Sequence, residues 1–536
     1  MLDILQLYKK LHFGELESFS LNSVAEYELG LQKIDTGELP GDMLDNGRRK
    51  ELIEYCLRDV EIMVELDKKM QIIDFYHLIQ KMSGLPDLES AMSNSRVHDH
   101  LILRKAHEGG IVLPSKQHSE KIKIEGARVI DPVKGLHEDV AVMDIVGMYV
   151  NIFRTTNAGY ETVTSYETPN SIPIETDSET VYVSQDKKSL WVEVLEDLMK
   201  ERLKYKGLMK ESSLDSPEYK LYSQRQFALK TLIASAYGVS SFSNFRLYNH
   251  HVGNIITYVG REMNKHMENV AIEKGYTCVY GDTDSVFIKG TKNVLEALEL
   301  ESAINNTWDE FLRNLNIKAS SEYLDLEFDA LYDRIFFTDV KKRYAGHCTF
   351  KNGEAADSVK IAGFQTKRSD SSKITKELQT DVLNIILNDP IPDVEKNVSR
   401  RIKRAFDDVR EYKLSEIGIP RGFKKDPREY AVQNIFTKGV IYSQEYMNMG
   451  SIDIIKPLIF SVKRNKPHSK LPGTKSVAID PADEGQFQLF RDNFYIDWDI
   501  MIPKLIVKPV EKILDAFNLN VADVKAGNKQ STLFGF

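Results

Sequence analysis

A chain of 536 residues that is 42% hydrophobic and 28% charged is too long for one core and has the balance of a soluble protein with roughly three or four domains. No run of about 18 apolar residues occurs, which excludes a helical membrane span, and Met1-Leu2-Asp3-Ile4-Leu5 lacks the features of a signal peptide. The net charge of −9 argues against a uniformly basic nucleic-acid binder, yet basic residues gather at 341–343, 367–368, 400–404, 421–428 and 463–466, enough for a local electropositive groove or for several solvated faces. Three widely separated cysteines, Cys56, Cys278 and Cys348, form neither a disulfide framework nor a zinc site and fit a reducing, intracellular compartment.

In chain order, the first hundred residues read as largely helical, with amphipathic periodicity across 48–70. Between 122 and 143 short alternating segments broken by Gly126, Pro132 and Gly135 read as sheet. Residues 164–184 are polar and weakly periodic, so a loop or excursion is expected there. Helix returns from 190 to 266, and 219–237 runs without proline or glycine. Strand-like runs at 276–279 and 286–288 then flank Tyr280-Gly281-Asp282-Thr283-Asp284-Ser285, the pattern of a β-hairpin with two carboxylates near its tip. Residues 341–346 have strand-like surroundings, helices are expected at 374–387 and 394–412, and the tail mixes strands with helices.

Two acids at one hairpin tip raise each other's pKa unless a cation lies between them. Mg²⁺ prefers one or two carboxylates together with substrate phosphates, which suits this tip; a solvated acidic turn fits the same six residues. Asp144 ends the apolar run Val140-Ala141-Val142-Met143 and is the candidate third carboxylate, since a buried unpaired acid is costly, although a lone acid there is more commonly a turn residue. Joined to Asp282 and Asp284, it would complete a cluster able to hold two metal ions for in-line phosphoryl transfer. Helical spacing puts Lys230, Ala234 and Tyr237 on one face, either facing phosphates or facing the core with a snorkelling lysine. Arg202 and Lys206 lie one turn apart, a like-charge pair that a bridging anion or plain solvent would relieve.

Five segments share one order. Asp144-Ile145-Val146-Gly147-Met148-Tyr149-Val150-Asn151-Ile152 resembles D-x-x-S-L-Y-P-S-I. Lys230 through Gly238 resembles K-x-x-x-N-S-x-Y-G, and Tyr280 through Ser285 resembles Y-x-D-T-D-S. Lys341-Lys342-Arg343-Tyr344-Ala345 matches K-K-[KR]-Y-A, and Gly363, Arg368 and Asp370 fit G-x-x-x-x-R-x-D. With these motifs the chain resembles a family B DNA polymerase, most similar to the replicative polymerases of T-even-like bacteriophages. The resemblance implies an α+β right hand of palm, fingers and thumb, preceded by a partial RNase H-like exonuclease domain. Its divisions would be 1–105 exonuclease, 106–188 and 251–362 palm, 189–250 fingers, 363–522 thumb and 523–536 a flexible tail.

The same resemblance implies that Asp144 and Asp284 ligate two Mg²⁺ ions, with Mn²⁺ as an alternative, helped by the carbonyl of Ile145 and by Asp282. Gly147, Met148 and Tyr149 would line the nucleotide pocket, with Tyr149 excluding a ribose 2′-hydroxyl. Arg202, Lys206 and Lys230 would grip the triphosphate, and Ala234, Tyr237 and Gly238 would face the nascent pair. Lys342 would reach toward the metals, Lys341, Arg343, Tyr344 and Arg368 would contact DNA, and Glu327 would be an outer acid. Gly147 stands for the usual serine, Met148 for leucine, Val150 and Asn151 for proline and serine, and Ala234 for asparagine; none of these removes a proposed metal ligand or phosphate cation.

Tyr55-Cys56-Leu57-Arg58-Asp59 resembles the family's third exonuclease motif, making Asp59 a metal ligand there. The first two exonuclease motifs do not occur upstream, so either a separate chain supplies them or proofreading has been lost, and this chain alone is expected not to proofread. Gln530, Leu533, Phe534 and Phe536 resemble a terminal sliding-clamp peptide. The partners implied are primer-template DNA, deoxynucleotides, a clamp and the missing exonuclease half, without a membrane; a phage-encoded chain would work in the host cytoplasm. The rival readings are a protein-primed polymerase, for which 164–184 would be the insertion, and an inactive DNA- and clamp-binding scaffold.

Overall fold

The computed structural model describes residues 3–12, 16, 19–34, 36, 40–317, 321–423, 425–450, 452, 456–465 and 469–526. The N-terminal region is helical: α1 (Ile4–Leu11), α2 (Leu21–Leu29), α3 (Pro40–Asp45), α4 (Arg49–Met70), α5 (Ile72–Ser83), α6 (Leu88–Ala91) and α7 (Asn94–Glu108). Side-chain caps start several of them, as where Asp87 accepts from Ser90 N at 2.7 Å ahead of α6.

Next come β1 (Val129–Ile130), β2 (Gly135–Ile145) and α8 (Met148–Thr156). Residues 164–184 depart from the expected loop. There β3 (Val163–Thr164), β4 (Ser171–Glu175) and β5 (Thr180–Ser184) form a three-stranded antiparallel sheet in the order β3-β5-β4. Ile172, Ile174, Val181 and Val183 are buried on its inner side. That is a period-2 pattern two residues deep in each strand, too short to stand out between polar turns.

A helical hairpin follows, α9 (Leu190–Glu211) and α10 (Pro217–Ser240), then α11 (His250–Glu273), the hairpin β6 (Thr277–Asp282) and β7 (Ser285–Lys289), and α12 (Val294–Asn305) with α13 (Trp308–Asn314). Strands β8 (Leu326–Phe337), β9 (Tyr344–Lys351) and β10 (Glu354–Ala362) complete a seven-stranded antiparallel sheet in the order β1-β6-β7-β2-β8-β9-β10. Its centre is β2, whose alternate residues serve two cores. Ala141, Met143 and Ile145 pack with α11 and the other helices, whereas Val140 and Val142 join Tyr280, Phe287, Phe337 and Tyr344 on the opposite face. Fully burying each such aliphatic side chain stabilises by roughly 1.5–3 kcal/mol, which pins the register, because a one-residue slip would exchange the two faces.

Beyond β10 a second core gathers α14 (Lys373–Asn388), α15 (Ile391–Asp408) and later helices around β11 (Ile419–Pro420), β12 (Leu458–Arg464), β13 (Ser476–Ile479) and β14 (Phe494–Ile496). This region is therefore helix around a four-stranded sheet.

On the outer strands His347 lies between two acids, its Nδ1 2.8 Å from Asp333 and its Nε2 2.7 Å from Asp357. The hydrogen bond to Asp357 leads, and with the Asp333 contact it holds the imidazole above its usual 6.5 against partial burial. A raised folded-state pKa adds stability below the unfolded value and loses it as pH rises through the folded one. His347→Asn is expected to remove that pH-dependent increment, under about 1 kcal/mol for so exposed a pair, as read from urea midpoints at acid and neutral pH. A wild-type midpoint no more acid-favoured than the variant's would contradict it.

Candidate active site

Asp144 occupies the same face of β2 as Val140 and Val142, two residues apart each time, so it continues that face into a cleft of about 350 Å³. The cleft is lined also by Tyr280, Asp282, Asp284, Asp329, Lys342, Tyr344 and Lys360. Register places Asp144 opposite Ser285 of β7 and Glu327 of β8. The β6–β7 turn is tight: Asp282 pairs with Ser285, leaving Thr283 and Asp284 as the loop. Thr283 takes φ 61, and its N–H donates to Arg128 O at 3.0 Å. Asp284 O accepts from Ile145 N at 2.9 Å, which locks the hairpin tip to the end of β2.

The acids then divide. Lys342 Nζ donates to both oxygens of Asp282, at 2.7 and 2.8 Å. No such cation reaches the other two among the described contacts. Burial first, then the charges of Asp284, Asp329 and Glu327, push Asp144 up to about 7. Burial, then the charge of Asp282, also raises Asp284, with Lys342 working the other way. Among the described residues the cleft acids form no set of three with ligand atoms mutually within 4.8 Å. Asp144 and Asp284 are thus the uncompensated pair, and Asp282 is held aside by its lysine.

Lys342 is itself fixed from behind. Its backbone takes φ 63, and its N–H meets Tyr280 Oη at 3.0 Å. Gly363, at φ 70, lies so close that a Cβ there would come within 2.1 Å of Lys342 O.

The turn from β2 into α8 requires a left-handed residue, and Gly147 supplies it at φ 55. Asn151 closes the turn by donating to Val146 O at 2.8 Å. Met148 is buried, and Tyr149 packs on Tyr237 of α10 with ring centroids 4.6 Å apart. Gly260 of α11 lies beneath both: a Cβ there would sit 3.1 Å from Met148 Cε and 3.5 Å from Tyr149 Cε1.

On α10 Lys230, Ala234 and Gly238 are exposed, whereas Leu229, Leu232, Ile233 and Ala236 are buried. The Lys230–Ala234 stripe therefore faces outward, against the core-facing alternative; Tyr237 is half-buried at its edge. Arg225 Nη1 donates to Tyr205 Oη at 2.6 Å across the hairpin. Steps along antiparallel helices run in opposite directions, so this contact sets Arg202 and Lys230 at nearly the same level. Arg202 is half-buried with its Nε unpartnered, and burial lowers its pKa. Lys206 lies one turn further along α9.

Among the proposed DNA contacts, Lys341 Nζ donates to Val129 O at 2.8 Å and pairs with Asp131 at 3.1 Å. Arg343 lies over the Phe364 ring, and Arg368 pairs with Asp370. Tyr344 is buried in the aromatic cluster at the cleft wall. Asp59 stands apart on α4. Lys33 Nζ donates to Tyr55 Oη at 2.6 Å and pairs with Asp59 Oδ2 at 2.7 Å, so an ammonium sits between the two. Residues 530–536, with the proposed clamp peptide, lie outside the described residues.

Asp329 and Lys360 of the cleft were not foreseen. The β2–β8 register jumps so that Met143 faces Phe328 while Val142 faces Ala330. Asp329 is the extra residue of that bulge, so the β2–β8 pairing changes step beside Asp144. Leu326-Glu327-Phe328-Asp329 alternates cleanly, so nothing in the sequence marks the bulge. A larger, 740 Å³ hollow at α1, α2 and α4 is lined mainly by Tyr8, Phe19, Val60, Val64 and Ile73. Its acids Asp3 and Asp67 accept from backbone N–H groups and Lys68 pairs with Glu65, which leaves it without convergent chemistry.

Comparison with known proteins agrees with this architecture. The family model described as DNA polymerase family B matches residues 90–515. DNA polymerase 2 of Aeropyrum pernix is 27% identical, over 100% of this chain and 62% of its own length. The DNA polymerase of Archaeoglobus fulgidus is 26% identical, over 98% and 64%. The DNA polymerase delta catalytic subunit of Oryza sativa subsp. japonica is 30% identical, over 80% and 40%. The chain thus spans less than two-thirds of the length of these curated relatives. It belongs to DNA polymerase family B.

Proposed function

We propose that this family B DNA polymerase chain adds deoxynucleotides to a primer 3′-hydroxyl on a DNA template, releasing pyrophosphate. The observation that carries the reading is the division of the carboxylates: Lys342 satisfies Asp282, while Asp144 and Asp284 share a cleft with their charge uncompensated. Such hard oxygen donors fit divalent Mg²⁺, with Mn²⁺ as an alternative. Asp144, Asp284 and the main-chain oxygen of Ile145 would hold two ions, whose charge stabilises attacking and leaving oxygens in phosphoryl transfer.

The chain's own residues do the positioning. Arg202 and Lys230, level with each other on the α9–α10 hairpin, bind the triphosphate, with Lys206 as an outer cation. Tyr149, braced by Tyr237, forms the floor under the sugar and leaves no room for a 2′-hydroxyl; Ala234 and Gly238 keep the adjacent helix surface low. Lys342 orients Asp282 and faces the primer terminus, and Lys341, Arg343, Tyr344 and Arg368 border the duplex. Much of the rate then comes from orientation and preorganised charge. On this reading the seven-stranded sheet is the palm, α9 and α10 the fingers and the region after Gly363 the thumb. The motif resemblance also supports a phage replication setting, an exonuclease role for Asp59, and clamp binding by the tail.

Incubation with Mg²⁺ and deoxynucleotides should extend a primed template and leave a bare one untouched. Failure to extend the primed template would overturn the reading. Met148, buried beside Tyr149 over Gly260, is flexible where leucine is usual, so Met148→Leu is expected to lower misincorporation a few-fold. Equal error rates in a primer-extension fidelity assay would count against it.

A further inference from the structure

Away from the cleft, the turn between β4 and β5 folds onto the N-terminal half of α11. Asp177 of that turn pairs with Arg261, and Glu179 Oε1 lies 2.7 Å from His251 Nδ1 and 2.8 Å from Asn254 Nδ2. His250 stacks beside His251 with ring centroids 3.8 Å apart. One ligand atom from each of Glu179, His250 and His251 lies within 4.8 Å of the other two, and all three residues are half-buried. No other such trio of His, Cys, Asp or Glu occurs among the described residues.

We infer that Glu179, His250 and His251 form a second metal site, distinct from the oxygen-lined cleft, which takes a Zn²⁺-class ion and clasps the β4–β5 turn to α11. Two imidazoles and one carboxylate are the donors that Zn²⁺ and Co²⁺ favour and Mg²⁺ does not. Asn254 fixes the carboxylate from outside, as the partners of metal ligands commonly do. Tetrahedral ligands about 2.0 Å from zinc lie roughly 3.3 Å apart, so the Glu179–His251 contact at 2.7 Å would open slightly and any wider pair, at most 4.8 Å, would close by about 1.5 Å or less. Three protein ligands leave a fourth position for water.

The clasp has a structural consequence. α11 carries Gly260 beneath Met148 and Tyr149, and its Asn264 Nδ2 donates to Ser285 O at 3.3 Å behind the acidic hairpin. Securing the start of α11 therefore steadies the helix that backs the cleft, whatever reaction the cleft performs.

The test uses the full chain with Mg²⁺ in excess, so that the cleft acids are already engaged, and titrates in Co²⁺. One Co²⁺ per chain with visible ligand-field absorption, displaced by Zn²⁺, is the expected result. The band should vanish in His250→Gln and in Glu179→Gln and persist in Asp284→Asn. Zn²⁺ should raise the thermal unfolding temperature of the wild type but not of His250→Gln. A wild type without the band, or a band surviving in both His250→Gln and Glu179→Gln, overturns the proposal. Either variant that keeps its far-ultraviolet circular dichroism suffices for the comparison.

Discussion

Asp284→Asn is expected to lower kcat for primer extension by about three orders of magnitude or more, equivalent to about 4 kcal/mol of barrier. The amide keeps the shape of the hairpin tip but removes the charge that would hold a divalent ion. Asp144→Asn should act alike, and both should leave the protein at least as stable without metal, because the native carboxylates are unfavourably placed. The sign follows from Asp144. Its folded pKa of about 7 exceeds the usual 3.8, so its contribution to stability is complete below the lower value and is lost as pH rises through the upper. Between roughly pH 4 and 7 the metal-free wild type should lose stability relative to Asp144→Asn. Mg²⁺ should restore it most strongly at the upper end, where the carboxylate is ionised. Single-turnover extension and thermal melts across that range check both parts. A wild-type rate in Asp284→Asn would remove the acid pair from the mechanism.

Gly363→Ala is expected to destabilise the chain by about 2–5 kcal/mol, combining left-handed strain with a collision against backbone. The methyl would meet Lys342 O at 2.1 Å, Lys342 C at 3.0 Å and Arg343 Cα at 3.1 Å, none of them the end of a flexible side chain. Relief requires moving Lys342, which breaks its contacts with Asp282 and with Tyr280 Oη, so extension should fall at least tenfold in the folded fraction. Gly353→Ala is the control. It has comparable backbone geometry, φ 87, with nothing within 4 Å, and should show the strain without the loss of rate. Equal urea midpoints and equal rates for the two variants would dismiss the collision.

Local chemistry was legible from the chain alone. The acidic hairpin is contained in thirteen consecutive residues, Thr277 to Lys289, and its strands pair antiparallel around a two-residue loop, with a register shift between Cys278 and Tyr280 that alternation does not announce. Helix α4 begins and ends within a residue of its periodic stretch, and Asp144 announced itself as an acid ending a buried strand. The order of the five motifs pointed to the family that the comparison then established. What stayed hidden depends on residues far apart in sequence. The sheet at 163–184 rests on only two buried residues in each of β4 and β5, below what periodicity can register. The outward face of Lys230 was undecided because a helix has a buried side only once its neighbours are in place.

The two acids of the hairpin show the boundary most clearly. By itself the sequence determined that Asp282 and Asp284 would share a turn, because a two-residue loop between strands is a local event. It also determined that Asp144 would sit at a strand end and that cations would follow in known order. The packing of distant segments settles which acid gains an ammonium partner and which two are left without one. Lys342 reaches Asp282 across 60 residues of chain, and a bulge in β8 brings Asp329 toward Asp144. Electrostatic energy depends on distance in space and on burial, and neither is written in the spacing of residues along a chain.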